Sequence, residues 1–237
     1  MRVIGLIGGM SWESSAEYYK VINMLVRARL GGQNNARTLM YTVNFHEVEL
    51  MQREKRWDDA GALLAEAAVQ LERGGAEFIV LCTNTMHKVA PAIQAAVSIP
   101  LIHIATATAE RIKQAGLTTI GLLGTRFTME QEFYRGILER DYGLKVIIPD
   151  ADDRAEVHRI IYDELCQGIL RADSRATYAQ IMERLHVAGA QGVILGCTEI
   201  TLLVKPGDTA LPIFDTTAIH AEAAVALALQ EEAVATE

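Results

Sequence analysis

"GAEFIVLCTNT" (Gly75–Thr85) and "GAQGVILGCTE" (Gly189–Glu199) are two versions of one phrase, 114 residues apart. Each opens on Gly-Ala, runs through a short apolar stretch and ends in small polar residues. A short apolar run closed by turn-forming residues reads as a strand buried on both faces, the kind found in parallel sheets. Two further pairs repeat in the same order. "GLIGGM" from Gly5 returns as "GLLGTR" from Gly121, an offset of 116. "PLIHIATATAE" from Pro100 returns more loosely as "PIFDTTAIHAE" from Pro212, an offset of 112. Each match alone is weak, but three in one order at nearly one spacing imply two similar halves related by an approximate two-fold.

The rest of the chain fits that frame. Strands are expected at Val3–Ile7, Leu39–Val43, Phe78–Cys82, Leu101–Ile104, Ile120–Leu123, Val146–Ile148, Val193–Gly196 and Ile213–Phe214. Longer helix-like stretches lie between them, such as Ser14–Leu30, Asp59–Gly74 and Ser174–Gly189. Alternation of β and α in this order predicts parallel sheets covered by helices, and no low-complexity linker divides the chain.

Composition narrows the function classes. The chain has 237 residues, 50% hydrophobic and 22% charged, as for an ordinary globular protein with one large or two small domains. A formal net charge of −8 argues against nucleic acid or an anionic membrane as the main partner. No apolar run reaches the roughly 20 residues of a membrane span. The start "MRVIGLIGGM" reads as a first strand rather than a signal peptide, because its apolar run is short and ends in Gly-Gly. Cys82, Cys166 and Cys197 are odd in number and widely spaced, with no metal-binding pattern. They read as reduced thiols of a cytoplasmic protein.

In open parallel sheets, ligands bind beyond the carboxyl ends of the strands. Two such halves facing each other are expected to form one cleft, lined by the turns Gly8–Ser11, Thr83–Thr85, Thr125–Thr128 and Cys197–Glu199. The offset of 114 aligns Cys197 with Thr83 and Gly196 with Cys82. Side chains alternate along a strand, so a cleft-facing Cys197 implies a cleft-facing Thr83 and a Cys82 turned into its own half. Cys82 and Cys166 read as small buried hydrophobes. Cys197 lies past its strand at an expected helix start, where backbone N–H groups and the helix dipole are expected to lower a thiol pKa. The turns also offer hydroxyls, an amide and N–H groups able to hold a carboxylate or phosphate, or simply to cap helices. Ser14 with Glu17 reads as a capping box, with Thr128 and Gln131 as its counterpart. The glycines of "GLIGGM" match neither GxGxxG nor a P-loop. His46 and Glu47 lack a second histidine at helical spacing, so no metal is expected. His87 reads as a structural histidine able to orient the Thr83 turn. Arg126 is open to two readings, a carboxylate counter-ion or a surface residue.

"GLIGGMSWES", "CTNTMHK" and "GCTEI", in this order and spacing, resemble the aspartate/glutamate racemase family, most closely its broad-specificity amino-acid racemase branch. The resemblance runs essentially end to end. It implies an α/β fold of two flavodoxin-like parallel-sheet domains related by a pseudo-two-fold, with the active site in the cleft between them. The termini would share one domain, placing residues 1–99 and 209–237 in the first and 100–208 in the second. It further implies an amino-acid substrate, action without pyridoxal phosphate or any other cofactor, and a homodimer. In the family, two cysteines flank the substrate Cα; one removes its proton and the other returns one to the opposite face. The second family cysteine falls on Cys197 and the first on Thr83, which is where this chain departs from the pattern. Substrate contacts carry over to Met10 (backbone), Gln52, Asn84, Thr85, Thr125, Thr198 and Glu199. The implied function is racemisation of aspartate, glutamate or a broader set of amino acids, with unequal turnover in the two directions. Two rival readings stand beside it: a single-cysteine decarboxylase or isomerase of small dicarboxylates, and a non-catalytic binder of acidic amino acids.

Overall fold

The structure, a computed structural model, describes residues 1–230. It contains two four-stranded sheets, all parallel. The first is built from β1 (Ile4–Gly8), β2 (Thr38–Thr42), β3 (Phe78–Leu81) and β4 (Leu101–Ile102), in the order β2-β1-β3-β4. The second is built from β5 (Thr119–Gly124), β6 (Lys145–Ile147), β7 (Val193–Gly196) and β8 (Ile213–Asp215), in the order β6-β5-β7-β8. The two orders are the same when each half is counted from its own first strand, so the sequence repeat is a repeat of topology.

The equivalence extends to single hydrogen bonds. Ile79 N–H donates to Pro100 O at 2.8 Å in the first half, and Val193 N–H donates to Pro212 O at 2.9 Å in the second. Val3 N–H donates to the Glu77 carboxylate, and Thr119 N–H donates to the matching Gln191 side chain. These positions obey the offsets of 114, 116 and 112 found in the sequence. β1, β3 and β7 are buried along their whole length, which explains why they appear as unbroken apolar runs rather than alternating ones.

Helices alternate with the strands. They are α1 (Trp12–Leu30), α2 (Phe45–Arg53), α3 (Trp57–Arg73), α4 (Ala90–Ala96), α5 (Ile104–Gln114), α6 (Arg126–Glu130), α7 (Glu132–Gly136), α8 (Ala151–Asp163), α9 (Ala172–Val187), α10 (Ile200–Leu203) and α11 (Thr216–Leu229). The expected capping boxes are displaced. Ser11 caps α1, accepting from Ser14 N–H at 3.2 Å, and Thr125 caps α6, accepting from Thr128 N–H at 3.3 Å. Both caps lie three residues earlier than Ser14 and Thr128 suggested, directly in the turn that ends the strand.

The chain divides into two compact units. Among the described residues, one comprises 1–82, 89–102 and 220–230; the other comprises 83–88 and 103–219. The expected boundary at 209 precedes β8, and β8 pairs with β7 through Val193↔Ile213, Ile194↔Phe214 and Leu195↔Asp215. That pairing keeps residues 209–219 with the second sheet. Residues 231–237, expected in the first domain, lie outside the described residues.

In the first unit, Ile4, Leu6, Tyr18, Ile22, Phe78, Val80 and Cys82 form one buried cluster with Ala221, Ala224 and Val225 of α11. His220 ties this core together. Its Nε2–H donates to Ile102 O at 2.9 Å, which leaves Nδ1 to accept from the Tyr18 hydroxyl at 2.9 Å. In the second unit, Ile120, Leu122, Val157, Ile160, Tyr178, Ile181, Val193 and Ile194 are buried. No described helix is long and apolar enough to cross a membrane.

Candidate functional site

The turn after β7 carries the thiol singled out in the sequence. Cys197 is half-buried, and its Sγ–H donates to Glu199 Oε2 at 2.9 Å. Glu199 occupies the cap position of α10 but makes no capping bond; its carboxylate turns back to the sulfur. Thr198, between them, accepts a hydrogen bond from the Thr217 hydroxyl at 2.9 Å.

The acidity expected for this thiol is reversed. α10 is only four residues long, too short to carry much of a dipole. Burial, together with the Glu199 carboxylate, pushes the Cys197 thiol well above its ordinary pKa. Its resting form is therefore the thiol. Tyr178 of α9 and Cys166, in the turn Leu165–Gln167, are the other titrating groups that feel its charge.

Residues 83–88 pack with the unit that holds Cys197, so Thr83, Asn84, Thr85, Thr125, Cys197, Thr198 and Glu199 share one compact body. Thr83 is buried, and its carbonyl accepts from His87 Nδ1–H at 2.7 Å. The protonated nitrogen is fixed by the other side of the ring, where Nε2 accepts from Ile104 N–H at 3.2 Å. His87 is thus both a satisfied structural histidine and the clamp that holds the Thr83 carbonyl. His103 packs edge-on against it with ring centres 4.6 Å apart.

Asn84 is buried and oriented without ambiguity. The Thr216 hydroxyl donates to Leu195 O at 2.9 Å, so its oxygen accepts from Asn84 Nδ2 at 3.0 Å. That leaves Asn84 Oδ1 facing away, buried and with no partner among the described residues. Thr85 does not cap a helix with its side chain; its hydroxyl meets that of Thr125 at 2.9 Å, which in turn meets Thr128 at 3.2 Å. Met10 and Gln52 are buried in the other compact unit, Met10 two residues after β1 and Gln52 on α2.

Cys82 lies in the core of the first unit, where burial raises its thiol pKa far above the ordinary range. Arg126 and His46 are exposed, and no cluster of three His, Cys, Asp or Glu side chains among the described residues could hold a metal. Thr216 and Thr217, which anchor Asn84 and Thr198, did not stand out in the sequence. Their signal was position alone: they follow β8, the strand matched to "PLIHIATATAE", at its carboxyl end.

The family profile described as Asp/Glu/Hydantoin racemase matches residues 7–224 of the chain. A Yersinia pestis protein described as a candidate Asp/Glu racemase is 56% identical in its crystal structure, which covers 97% of this chain and all of its own, with a TM-score of 0.91. An aspartate racemase homologue from Pyrococcus horikoshii is 36% identical over 97% of this chain and all of its own, with a TM-score of 0.84. The broad specificity amino-acid racemase RacX of Bacillus subtilis is 28% identical over 168 residues, 71% of this chain and 72% of the relative.

Proposed function

The chain belongs to the Asp/Glu/hydantoin racemase family, and from that premise we propose that it racemises free amino acids by exchanging the Cα proton without a cofactor. Aspartate, glutamate or a broader set that includes them is the substrate class. Cys197 exchanges a proton on one face of Cα and Thr83 on the other.

One observation carries this reading. A single compact unit joins a thiol that can give or take a proton to a buried amide oxygen still lacking a donor. An α-ammonium is a donor of the kind Asn84 Oδ1 lacks. The Thr85, Thr125 and Thr198 hydroxyls, with the turn N–H groups, suit the α-carboxylate as it gains charge on losing the Cα proton. Thr83 is the weaker partner, because a threonine hydroxyl is a poor base near pH 7.

Three cysteines, none in a disulfide, suit a reducing cytoplasm. The homodimer implied by the family has a fitting surface on the first unit. Trp12 and Tyr19, seven residues apart on one side of α1, are 68% and 50% exposed and stand beside Met40 of the sheet-edge strand β2. Trp12, Tyr19 and Met40 line an open groove of about 470 Å³. Apolar exposure of this kind marks an interface, and Trp12→Glu is expected to convert a dimer to a monomer in analytical ultracentrifugation.

The function is tested by incubating dialysed protein in D₂O with each enantiomer of the common amino acids and following Cα–H loss by NMR. Exchange from at least one amino acid, abolished in Cys197→Ala, is the expected result. Binding without exchange would leave a binding protein; carbon dioxide release from malonates, or maleate isomerisation, would leave the dicarboxylate reading.

A further inference from the structure

Glu199 was expected to touch substrate, yet its carboxylate is spent on the sulfur of Cys197. The geometry is local and specific. Cys197 Sγ and Glu199 Oε2 stand 2.9 Å apart, and Glu199 is buried to 5% exposure. The residue between them is held elsewhere: Thr198 accepts from the Thr217 hydroxyl, and its carbonyl accepts from the Thr201 hydroxyl at 2.7 Å. The turn is thus pinned on both sides while the carboxylate and the thiol face each other. Other titrating groups around the sulfur are Cys166, whose turn packs on α10, and Tyr178 of α9. Neither of them is a carboxylate.

We propose that Glu199 is a positioning residue for Cys197, holding it as a thiol at rest and receiving its proton in turnover, rather than a substrate contact. The inference rests on the racemase reading above and deepens it. In the step, the S–H bond breaks as an O–H bond forms on Glu199 Oε2, and the negative charge passes from carboxylate to sulfur. The sulfur then bonds the hydrogen leaving Cα, and the electron pair of that C–H bond stays on the substrate. Nothing is oxidised or reduced. After Thr83 has given its proton to the other face, the proton stored on Glu199 restores the Thr83 hydroxyl through solvent, which closes the cycle. The substrate's own ammonium is the charge that favours a negative sulfur, because an opposite charge within a few ångströms stabilises the ionised form. A ligand without that ammonium leaves Cys197 in its resting thiol state, which makes the pair a filter for amino acids over plain dicarboxylates.

The test measures two quantities in wild type, Glu199→Gln and Glu199→Asp. One is the pH midpoint of Cys197 alkylation by iodoacetamide, read by peptide mass spectrometry. The other is kcat and KM for racemisation. Glu199→Gln keeps an acceptor but removes the charge, so the alkylation midpoint should fall by roughly one pH unit. Its kcat should fall by about 10²–10⁴, the usual contribution of a placed proton acceptor, with KM little changed. Glu199→Asp should recover part of kcat and, if the glutamine variant does not fold, still lower the midpoint by withdrawing the charge. An unmoved midpoint overturns the proposal, and so does a raised KM with intact kcat, which is the signature of a substrate contact. If wild type turns over no amino acid, the racemase reading fails, while the alkylation midpoints still decide whether Glu199 governs the thiol.

Discussion

Replacing Gly9 by alanine tests the turn that carries Met10, and the structure fixes the size of the effect. Gly9 has φ +93°, in the region that L side chains avoid. A Cβ there would overlap the carbonyl oxygen of Val43 outright and stand 2.8 Å from its nitrogen and 2.9 Å from Thr42 Cγ2. Two of these three atoms are backbone, so no rotamer change relieves them. Gly75 is the control, with φ +96° and nothing within 4 Å of the methyl that alanine would add. Alanine at Gly75 costs the left-handed conformation, about 1–2 kcal/mol, offset by about 0.4–1 kcal/mol from the stiffer unfolded chain. A net loss of roughly 1 kcal/mol follows. Alanine at Gly9 adds overpacking, about 1–3 kcal/mol where neighbours must shift. Gly9→Ala should therefore lose about 2 kcal/mol more than Gly75→Ala, read as a lower urea midpoint at unchanged slope. Equal midpoints for the two variants would refute the reasoning, because they would mean that the Val43 backbone yields freely.

If Thr83 is the second proton-exchanging group, Thr83→Cys supplies a second thiol in that role and should narrow the difference in Cα exchange between D- and L-substrate. Since the enantiomers are equal in free energy, kcat/KM must match in the two directions, so any lopsidedness appears as paired changes in kcat and KM or in exchange before conversion. Equal exchange from both enantiomers in wild type would show that Thr83 is not the weak partner. Cys82→Ala and Cys166→Ala should retain most turnover, with Cys82→Ala losing stability, because Cys82 is a core side chain. If Cys82→Ala abolishes exchange in a folded protein, the register of β3 is wrong. Burial holds the His103 pKa down to about 4, against an ordinary 6.5. The unfolded state therefore binds the extra proton first as pH falls, and stability conferred above about 6.5 is lost progressively toward 4. His103→Asn keeps an acceptor for Ala105 N–H and should flatten that slope in urea titrations between those pH values; an unchanged slope would place the titration elsewhere.

All eight strands could be found in the amino-acid sequence because each is a short apolar or β-branched run followed by a turn, and such runs are local; β1, β3 and β7 are in addition buried throughout. The duplication was equally local: the side-chain oxygens of Glu77 and Gln191 accept from backbone N–H groups at matched positions, which demands a carboxylate or amide side chain at each. Burial of Cys82 followed from strand alternation. Other features depend on partners distant in the chain. Whether residues 209–219 belong with the first or second sheet turned on β8 pairing with β7, a contact no periodicity encodes. Ser11 rather than Ser14 caps α1 because the helix starts directly after the β1 turn, and both serines have the right chemistry for the role. The tertiary structure had most to say about Cys197. A helix start just past a strand suggested an acidic thiol; the four-residue α10, the buried surroundings and the Glu199 carboxylate turned back onto the sulfur reverse it. Strand identity is written in neighbours along the chain, whereas the proton affinity of a side chain is set by the solvent it loses and the charges that fold around it.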